Sequence, residues 1–223
     1  DWAYTSQAIS MEVPFSCEIR HIPVKRIFDI IFSLTVLTFG FPLFLGIAFA
    51  VWITSQGKTV YSQERIGRGG KTFRCYKFRT MYPNADARLK ELLDANQELR
   101  KEWDHFHKLK NDPRVTPLGA FLRKTSLDEL PQFWNVLKGD LSVVGPRPIV
   151  KTELEKHLKD KADTILSIRP GLTGPWQISG RNDISYQKRI ELDEFYVSNQ
   201  SFWWDILLIV KTIPAMIFSK GAY

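Results

Sequence analysis

The sequence predicts an α+β protein, mainly helical, in which a broken, re-entrant apolar helix precedes a small domain with a short β-hairpin. The run 27–53 carries a single charge and is interrupted near its middle by glycine and proline. In residues 59–79 apolar and polar side chains alternate on both sides of a glycine turn, which predicts two strands. In residues 86–109 apolar side chains recur at helical spacing, which predicts an amphipathic helix that packs on the domain or on a partner. The expected units are an N-terminal extension (1–20), a re-entrant membrane helix (21–58), a main domain (59–201) with a helical insertion (84–112), and an amphipathic interfacial C-terminal helix (202–223).

The composition of the chain indicates an anionic partner and a reducing compartment. The 223 residues carry 31 Lys and Arg against 24 Asp and Glu, a net charge of +7. Such an excess favours nucleic acid, an anionic membrane surface or a phosphorylated substrate as the partner, and charge alone does not choose among them. The cysteines are Cys17 and Cys75, without a C-x-x-C pair, which argues against a disulfide scaffold or a structural zinc site.

The apolar run 27–53 favours a helix that enters the bilayer and returns to the same side. Roughly 20 apolar residues suffice to cross a bilayer, but positive residues flank both ends of the run and so point both ends the same way. Split at Pro42, the arms have about 15 and 11 residues, each shorter than a hydrocarbon core of about 30 Å. Pro42 would supply the bend because it lacks an amide donor. A single kinked transmembrane helix is the alternative.

The predicted hairpin offers two cations on one strand face. Alternation places Lys77 and Arg79 on the same side, where a point charge and a planar fork suit a diphosphate. An ordinary exposed strand face explains the pattern equally well. The stretch Gly70-Lys71-Thr72 is not a P-loop, because Arg65 stands where that motif requires glycine and a strand follows instead of a helix.

Two adjacent carboxylates, Asp128 and Glu129, form the centre of the candidate site. Helix starts attract acids, so one interpretation is a capping box that begins at Ser126. Pro131 makes the cap ambiguous, since it falls inside the helix if Ser126 is the cap and in the tolerated first turn if Asp128 is. The other interpretation is chemical: one carboxylate attacks phosphorus while its neighbour holds a divalent metal. On the pair alone, the cap is favoured.

Basic residues on rigid turns shift the balance towards chemistry. Arg147 lies in a Gly-Pro-Arg-Pro turn, and Arg169 and Arg181 lie at the two ends of a second turn rich in glycine and proline. Turns hold functional side chains on a rigid frame, and arginines near metal-binding carboxylates describe a phosphoryl-transfer site. The candidate phosphate-binding residues are therefore Lys77, Arg79, Arg123, Arg147, Arg169 and Arg181.

Two further carboxylates lie near the C-terminus. Asp193, on an expected helix, and Asp205 are additional candidates for binding the metal or the nucleotide. Asp205 and Lys211 interrupt an apolar segment, 202–214, that begins with tryptophans. This pattern is typical of the membrane interface rather than of the hydrocarbon centre.

Six motifs follow one another over most of the chain: KRIFD (25–29), YKFRTM (76–81), SLDEL (126–130), NVLKGD (135–140), GPRP (145–148) and RPGLTG (169–174). Together they resemble the bacterial sugar transferases, also called monotopic phosphoglycosyl transferases. The agreement of several separated motifs in the same order makes the resemblance specific.

The resemblance implies a reaction and a role for the central residues. It implies an enzyme that moves a sugar 1-phosphate from a UDP-sugar to undecaprenyl phosphate and releases UMP, a first membrane step of O-antigen, capsule or exopolysaccharide synthesis. Asp128 would be the nucleophile that forms a covalent phosphosugar intermediate, and Glu129 would bind Mg²⁺. The main domain 59–201 would be catalytic, and the protein would lie in the lipid bilayer as a monotopic protein at the cytoplasmic face of the bacterial inner membrane, without a nucleic-acid partner.

The insertion and the helix break refine this expectation. The insertion 84–112 resembles that of the larger members that transfer hexose 1-phosphate, such as the undecaprenyl-phosphate galactose and glucose phosphotransferases, which implies UDP-galactose or UDP-glucose as the donor. In those members membrane helices and a further domain precede the catalytic part, so a chain that starts at Asp1 is expected to be trimmed or a short natural form. The family often has serine where this chain has Phe41, so no hydroxyl-mediated backbone bond is expected at the break. A homodimer is left open as a partner.

Two other function classes compete with this interpretation. A membrane-associated glycosyltransferase would attack the sugar carbon and release UDP, but the sequence lacks a D-x-D metal motif. A non-catalytic basic module would bind anionic lipid or nucleic acid, with the carboxylate pair as a mere helix cap. No aromatic platform or recognised nucleic-acid signature accompanies the positive charge, and a membrane-inserting run is unexpected in a nucleic-acid-binding module.

Overall fold

The computed structural model describes residues 23–55, 57–106, 109, 112–179 and 185–217, and the predicted extension 1–20 lies outside them. The described chain is mainly helical with two small two-stranded sheets, which confirms the mainly helical α+β class. The helices are α1 Pro23–Phe39, α2 Phe41–Ser55, α3 Ala85–Ala95, α4 Gln97–Phe106, α5 Pro117–Thr125, α6 Gln132–Lys138, α7 Lys151–Glu153, α8 Ala162–Ile165, α9 Pro175–Ile178, α10 Tyr186–Asn199 and α11 Phe202–Ile217. The strands are β1 Val60–Ile66, β2 Thr72–Phe78, β3 Ser142–Val144 and β4 Gly171–Thr173.

The N-terminal apolar run forms two helices, α1 and α2, bent by 64° relative to each other. The break falls at Gly40, where an added Cβ would come within 2.5 Å of the Val36 carbonyl oxygen. Pro42, the predicted break, is the second residue of α2 and therefore sits in the first turn, where proline is tolerated. Among the described residues no single helix is long and apolar enough to cross a membrane, whereas this bent pair qualifies by length and composition.

Both arms of the pair, and also α11, expose large apolar side chains. Phe39 at the bend is 83% exposed, Trp52 on α2 is 62% exposed, and Trp203 on α11 is 78% exposed. Phe41, where the family often has serine, is more than half exposed. Apolar surface of this kind marks contact with a membrane or with a protein partner.

Polar contacts from α1 tie the apolar pair to the rest of the protein. Arg26 donates hydrogen bonds to the carbonyl oxygens of Val136 and Leu137, at 2.6 and 2.8 Å, near the end of α6. The buried Asp29 carboxylate accepts the backbone N–H of Val143 at 2.9 Å. These contacts satisfy orphan carbonyls at a helix end and fix the orientation of α1 on the domain.

The predicted hairpin is present, with β1 and β2 antiparallel and Tyr61 opposite Lys77. Gly69 and Gly70 supply the turn and have positive φ angles, a conformation that glycine adopts without steric cost. The second sheet pairs β3 and β4 in parallel. There, an added Cβ on Gly171 would come within 2.1 Å of the Gly145 backbone nitrogen, so glycine is needed for the close approach.

The insertion forms two helices, α3 and α4, rather than the single helix that its apolar spacing predicts. Asn96 separates them: its backbone is extended, and its N–H bonds back to the Leu92 carbonyl oxygen. The Asn96 side chain then accepts the backbone N–H groups of Glu98 and Leu99, at 2.9 and 3.2 Å, and so caps α4. The cap ends one helix and starts the next, and this outweighs the continuous apolar spacing.

Candidate active site

A cavity of about 830 Å³ lies between the hairpin and the turn that carries the carboxylate pair. Its volume is in the usual range of small-molecule sites. The cavity brings together most of the residues predicted for the site: Lys77, Arg79, Arg123, Asp128, Glu129 and Arg147. Residues far apart in the sequence thus share one concave surface.

The two carboxylates lie in the first turn of a short 3₁₀ helix, Leu127–Glu129, that begins after Ser126. Ser126 ends α5 with a φ of 56°, and its side chain makes no capping hydrogen bond to any described residue. Helix α6 begins only at Gln132, after Pro131. The predicted capping box at Ser126 is therefore wrong, and neither acid occupies a capping position of α6.

Apolar packing holds this turn against the apolar helix α2. Leu127 and Leu130, on either side of the pair, pack on a cluster formed by Ile47, Val51, Phe78 and Leu122. The cluster combines side chains from α2, β2 and α5. The position of Asp128 thus depends on how α2 docks on the domain.

Asp128 is a buried carboxylate in a charged setting, only 8% exposed. Burial and the neighbouring Glu129 raise the pKa of Asp128 to about 6, while Lys77 and Arg123 act in the opposite direction. The carboxylate is therefore mostly ionised at neutral pH, which a nucleophile requires. A perturbed carboxylate in a cleft is also a common feature of active sites.

Lys77 connects the two carboxylates. Its Nζ lies 2.6 Å from Glu129 Oε1 and 4.0 Å from Asp128 Oδ2. Burial alone would lower the pKa of Lys77, but Glu129 and Asp128 outweigh it and raise that pKa. The ammonium therefore stays charged beside the pair.

Two arginines flank the pair from different sides. Arg123 donates from Nε to the Thr80 hydroxyl at 3.0 Å, and its charge acts on Asp128. Arg147 stacks over the Trp176 ring at 4.7 Å, and its charge acts on Glu129. Burial lowers the pKa of both arginines, yet arginine remains a permanent cation in proteins.

Two of the predicted arginines are not part of this arrangement. The lining of the cavity, as far as the described residues form it, does not include Arg169. Its Nε donates to the Gly139 carbonyl oxygen at 2.8 Å, and Gly139 ends α6, so this position does not support the predicted phosphate contact. Arg181 lies outside the described residues.

Asp193 and Asp205 are buried carboxylates outside the cavity lining that the described residues form. Asp193 on α10 accepts the backbone N–H of Arg147 at 3.4 Å, and burial raises its pKa to about 7. Asp205 on α11 accepts hydrogen bonds from Lys25 and from the Tyr196 hydroxyl. Both positions give these acids a structural partner, and neither supports direct metal or nucleotide binding.

A row of residues on the first strand also lines the cavity, although none of them was predicted as part of the site. Tyr61, Gln63 and Arg65 alternate along β1 and line the cavity. The period-2 pattern that placed Lys77 and Arg79 on one face applies to this strand as well. The signal was therefore available in the alternation of β1 and in its pairing with β2.

A buried carboxylate near cations, in a turn packed against a bent apolar helix pair, defines a candidate active site for anionic substrates. The chain belongs to the bacterial sugar transferase family, because the sequence model of that family matches residues 20–219.

Individual relatives are similar over most of this chain. An undecaprenyl-phosphate galactose phosphotransferase of Salmonella typhimurium LT2 is 49% identical over 200 residues, which cover 90% of this chain and 42% of the relative. A UDP-galactose-lipid carrier transferase of Erwinia amylovora is 46% identical, with the same coverage of 90% and 42%. The exopolysaccharide production protein ExoY of Rhizobium meliloti is 49% identical over 89% of this chain and 88% of its own length. The chain thus spans about two fifths of the first two relatives and most of the third.

Proposed function

We propose that this chain is the catalytic part of a phosphoglycosyl transferase that moves hexose 1-phosphate from a UDP-sugar to undecaprenyl phosphate and releases UMP. The observation that carries the proposal is the buried Asp128 carboxylate, which shares one cavity with Glu129, Lys77, Arg123 and Arg147. Membership of the sugar transferase family supports the reaction class. The names of two relatives, which mention galactose and a lipid carrier, support a hexose donor such as UDP-galactose or UDP-glucose and a polyprenyl acceptor.

The reaction would proceed in two displacements at one phosphorus atom. A carboxylate oxygen of Asp128 forms a bond to the phosphorus that carries the sugar, and the bond from that phosphorus to the bridging oxygen breaks. UMP leaves with the electron pair of that bond. A phosphate oxygen of undecaprenyl phosphate then attacks the same phosphorus, and the bond to Asp128 breaks and restores the carboxylate.

Cations around Asp128 would make this attack feasible. A carboxylate and a diphosphate repel each other, and fixed positive charges at the phosphate oxygens lower that cost. The charge of Arg123 acts on Asp128, and the charge of Arg147 acts on Glu129 and Lys77. Arg123 is already held by its hydrogen bond to Thr80 and Arg147 by its stacking on Trp176, so little reorganisation is needed when the substrate binds.

The carboxylate pair also fits Mg²⁺ as a cofactor. Among the described residues no group of three or more His, Cys, Asp or Glu side chains could hold a metal. Mg²⁺ does not require such a group, since it usually binds through one or two carboxylates together with substrate phosphates. Glu129, with Asp128 beside it, would hold the ion, which would neutralise charge on the diphosphate.

The apolar surfaces support a monotopic position at the cytoplasmic face of the bacterial inner membrane. The bent pair α1–α2 has arms of 17 and 15 residues, or roughly 25 and 22 Å, which are each shorter than the hydrocarbon core. A re-entrant pair of this length would bring the acceptor phosphate to the depth of the cavity without removing the lipid from the bilayer. The tryptophan-rich start of α11 would lie in the interface. This position would suit the first membrane step of O-antigen, capsule or exopolysaccharide synthesis.

The test is nucleotide release from detergent-solubilised protein supplied with undecaprenyl phosphate, Mg²⁺ and a panel of UDP-sugars. We expect UMP from one donor and no turnover from Asp128→Asn, which keeps the size of the side chain but removes its charge. Chelation of Mg²⁺ should silence the wild type. Release of UDP would instead indicate a glycosyltransferase, and full activity of the Asp128→Asn variant would refute the nucleophile.

A further inference from the structure

We propose that the cavity receives its two substrates from opposite ends of the β-hairpin. In this arrangement Arg65 binds the nucleotide phosphate that leaves as UMP, and Arg79 binds the phosphate of the lipid acceptor. The inference rests on the proposed function and deepens it, because it assigns separate anion subsites to the donor and to the acceptor.

The register of the hairpin sets the two ends. Lys77, which contacts the carboxylate pair, lies opposite Tyr61 on β1. Arg65 is four residues further along β1, about 13 Å from that point, whereas Arg79 is two residues beyond Lys77 in the opposite direction, about 7 Å away. Lys77, Arg65 and Arg79 all line the cavity. The reactive centre therefore lies between the two arginines.

The Arg65 end carries a cluster of guanidinium groups. Glu153 lies 3.9 Å from the Arg65 guanidinium and 3.4 Å from that of Arg189. Arg147, stacked on Trp176, is close enough to Arg65 and Arg189 for their charges to act on it. Three guanidinium groups thus lie near Glu153, and Glu129 also acts on Arg147. Several guanidinium groups together suit the substrate that carries two linked phosphate groups, the nucleoside diphosphate sugar.

Arg65 is also held in place before any ligand binds. One guanidinium nitrogen donates to Gln63 Oε1 at 2.8 Å, and the other donates to the Pro148 carbonyl oxygen at 3.4 Å. The side chain of Arg65 is 14% exposed, so these contacts fix it at the wall of the cavity. An arginine fixed in this way loses less conformational entropy when it binds a phosphate.

The Arg79 end lies beside the apolar helix pair. The Arg79 guanidinium packs over Gly57, two residues after the last residue of α2, and an added Cβ on Gly57 would come within 2.5 Å of Nη1. The Arg79 backbone N–H bonds to the Thr59 carbonyl oxygen at 2.9 Å, which fixes the strand end next to α2. A phosphate tethered to a membrane lipid reaches the end of the cavity that adjoins the membrane-type helix.

Steady-state kinetics of matched variants test this division. In a two-displacement scheme, kcat/KM for the donor reports the steps up to UMP release, and kcat/KM for undecaprenyl phosphate reports the second displacement. We expect Arg65→Gln to lower kcat/KM for the UDP-sugar roughly tenfold or more and to leave that for the lipid within about twofold. Arg79→Gln should lower kcat/KM for undecaprenyl phosphate roughly tenfold or more and leave that for the UDP-sugar within about twofold. Arg65→Lys and Arg79→Lys, which keep the charge, serve as matched controls and should lose less.

UMP binding gives a second readout that does not depend on turnover. We expect UMP alone to raise the thermal unfolding midpoint of the wild type and of Arg79→Gln, and to raise that of Arg65→Gln much less. The inference is overturned if the two glutamine variants affect the same substrate, if the assignments are reversed, or if UMP protects both variants equally. A wild type that releases no UMP would refute the proposed function, and UMP binding would still decide whether Arg65 forms a nucleotide subsite.

Discussion

Replacing Lys77 by methionine should move the pH dependence of the reaction, because the Lys77 ammonium lies 2.6 Å from Glu129 and 4.0 Å from Asp128. Methionine keeps the approximate length of the side chain and removes its charge. Without the ammonium, the charge of Glu129 acts on Asp128 with less compensation, so the pKa of Asp128 should rise above its value of about 6. Activity that requires ionised Asp128 is lost as the pH falls through this pKa, so the loss should begin at a higher pH in the variant.

The size of the shift follows from the geometry. Two unit charges 4.0 Å apart, the distance from Lys77 Nζ to Asp128 Oδ2, interact by about 1 kcal/mol in water and about 4 kcal/mol at an effective dielectric constant of 20. The Lys77 side chain is 33% exposed, so solvent screening favours the lower part of that range, about 1–2 kcal/mol. This energy corresponds to about 0.7–1.5 pKa units, which places the acidic limb of the variant at roughly pH 6.7–7.5.

The assay is kcat/KM for the UDP-sugar between pH 5.5 and 9 at constant Mg²⁺, with Lys77→Arg as the charge-preserving control. We expect the methionine variant to be impaired roughly fivefold more at pH 6.5 than at pH 8.5, a ratio that follows from the shifted limb. Any loss of kcat/KM that persists at high pH measures the contribution of a contact between Lys77 and the substrate. An acidic limb at the same pH in the wild type and the methionine variant would refute the electrostatic coupling of Lys77 to Asp128.

Four further changes test other parts of the structure. Glu129→Gln should raise the Mg²⁺ concentration needed for half-maximal activity, and an unchanged requirement in a metal titration would contradict metal binding by Glu129. Asp205→Ala should lower the free energy of unfolding by roughly 3 kcal/mol, measured by chemical denaturation, because it leaves Lys25 and a buried hydroxyl without their partner. Asp193→Asn should raise the free energy of unfolding above pH 7 but not at pH 4. The pKa of Asp193 is raised to about 7 in the folded protein, so ionisation of this acid destabilises the fold as the pH rises from about 4 to 7. An equal effect of the substitution at both pH values would exclude this titration. Gly40→Leu should disturb the helix break, since its Cβ would meet a carbonyl oxygen at 2.5 Å, and a thermal midpoint equal to that of the wild type would show that the break tolerates a side chain.

The elements that depend on local signals could be predicted well from the sequence. The apolar run and the glycine turn each depend on neighbouring residues, and both the bent helix pair and the hairpin are present. The break lies at Gly40, two residues before Pro42, and Asn96 divides the insertion because its side-chain cap outweighs the apolar spacing there. These local deviations depend on single contacts that the apolar spacing does not reveal.

The partners of buried charges could not be predicted in this way. Asp193 and Asp205 have the same residue type as Asp128 and were additional candidates for binding the metal or the nucleotide. In the structure Asp205 pairs with Lys25, which is 180 residues away, and Asp193 accepts the N–H of Arg147. Only long-range packing distinguishes a structural carboxylate from one that faces the cavity.

By itself, the sequence determined the class of fold, the bent apolar helix pair, the central carboxylates and a set of candidate cations. Hydrophobic periodicity, turn residues and short motifs each depend on residues that are close together in the sequence. The tertiary structure decided which of those cations surround Asp128. It placed Lys77 and Arg123 near Asp128 and Arg147 near Glu129, left Arg169 outside the described lining of the cavity, and added Arg65 from the first strand to that lining. The physical reason is that electrostatic interactions depend on distances across the fold and on burial, and strand register and helix docking set both.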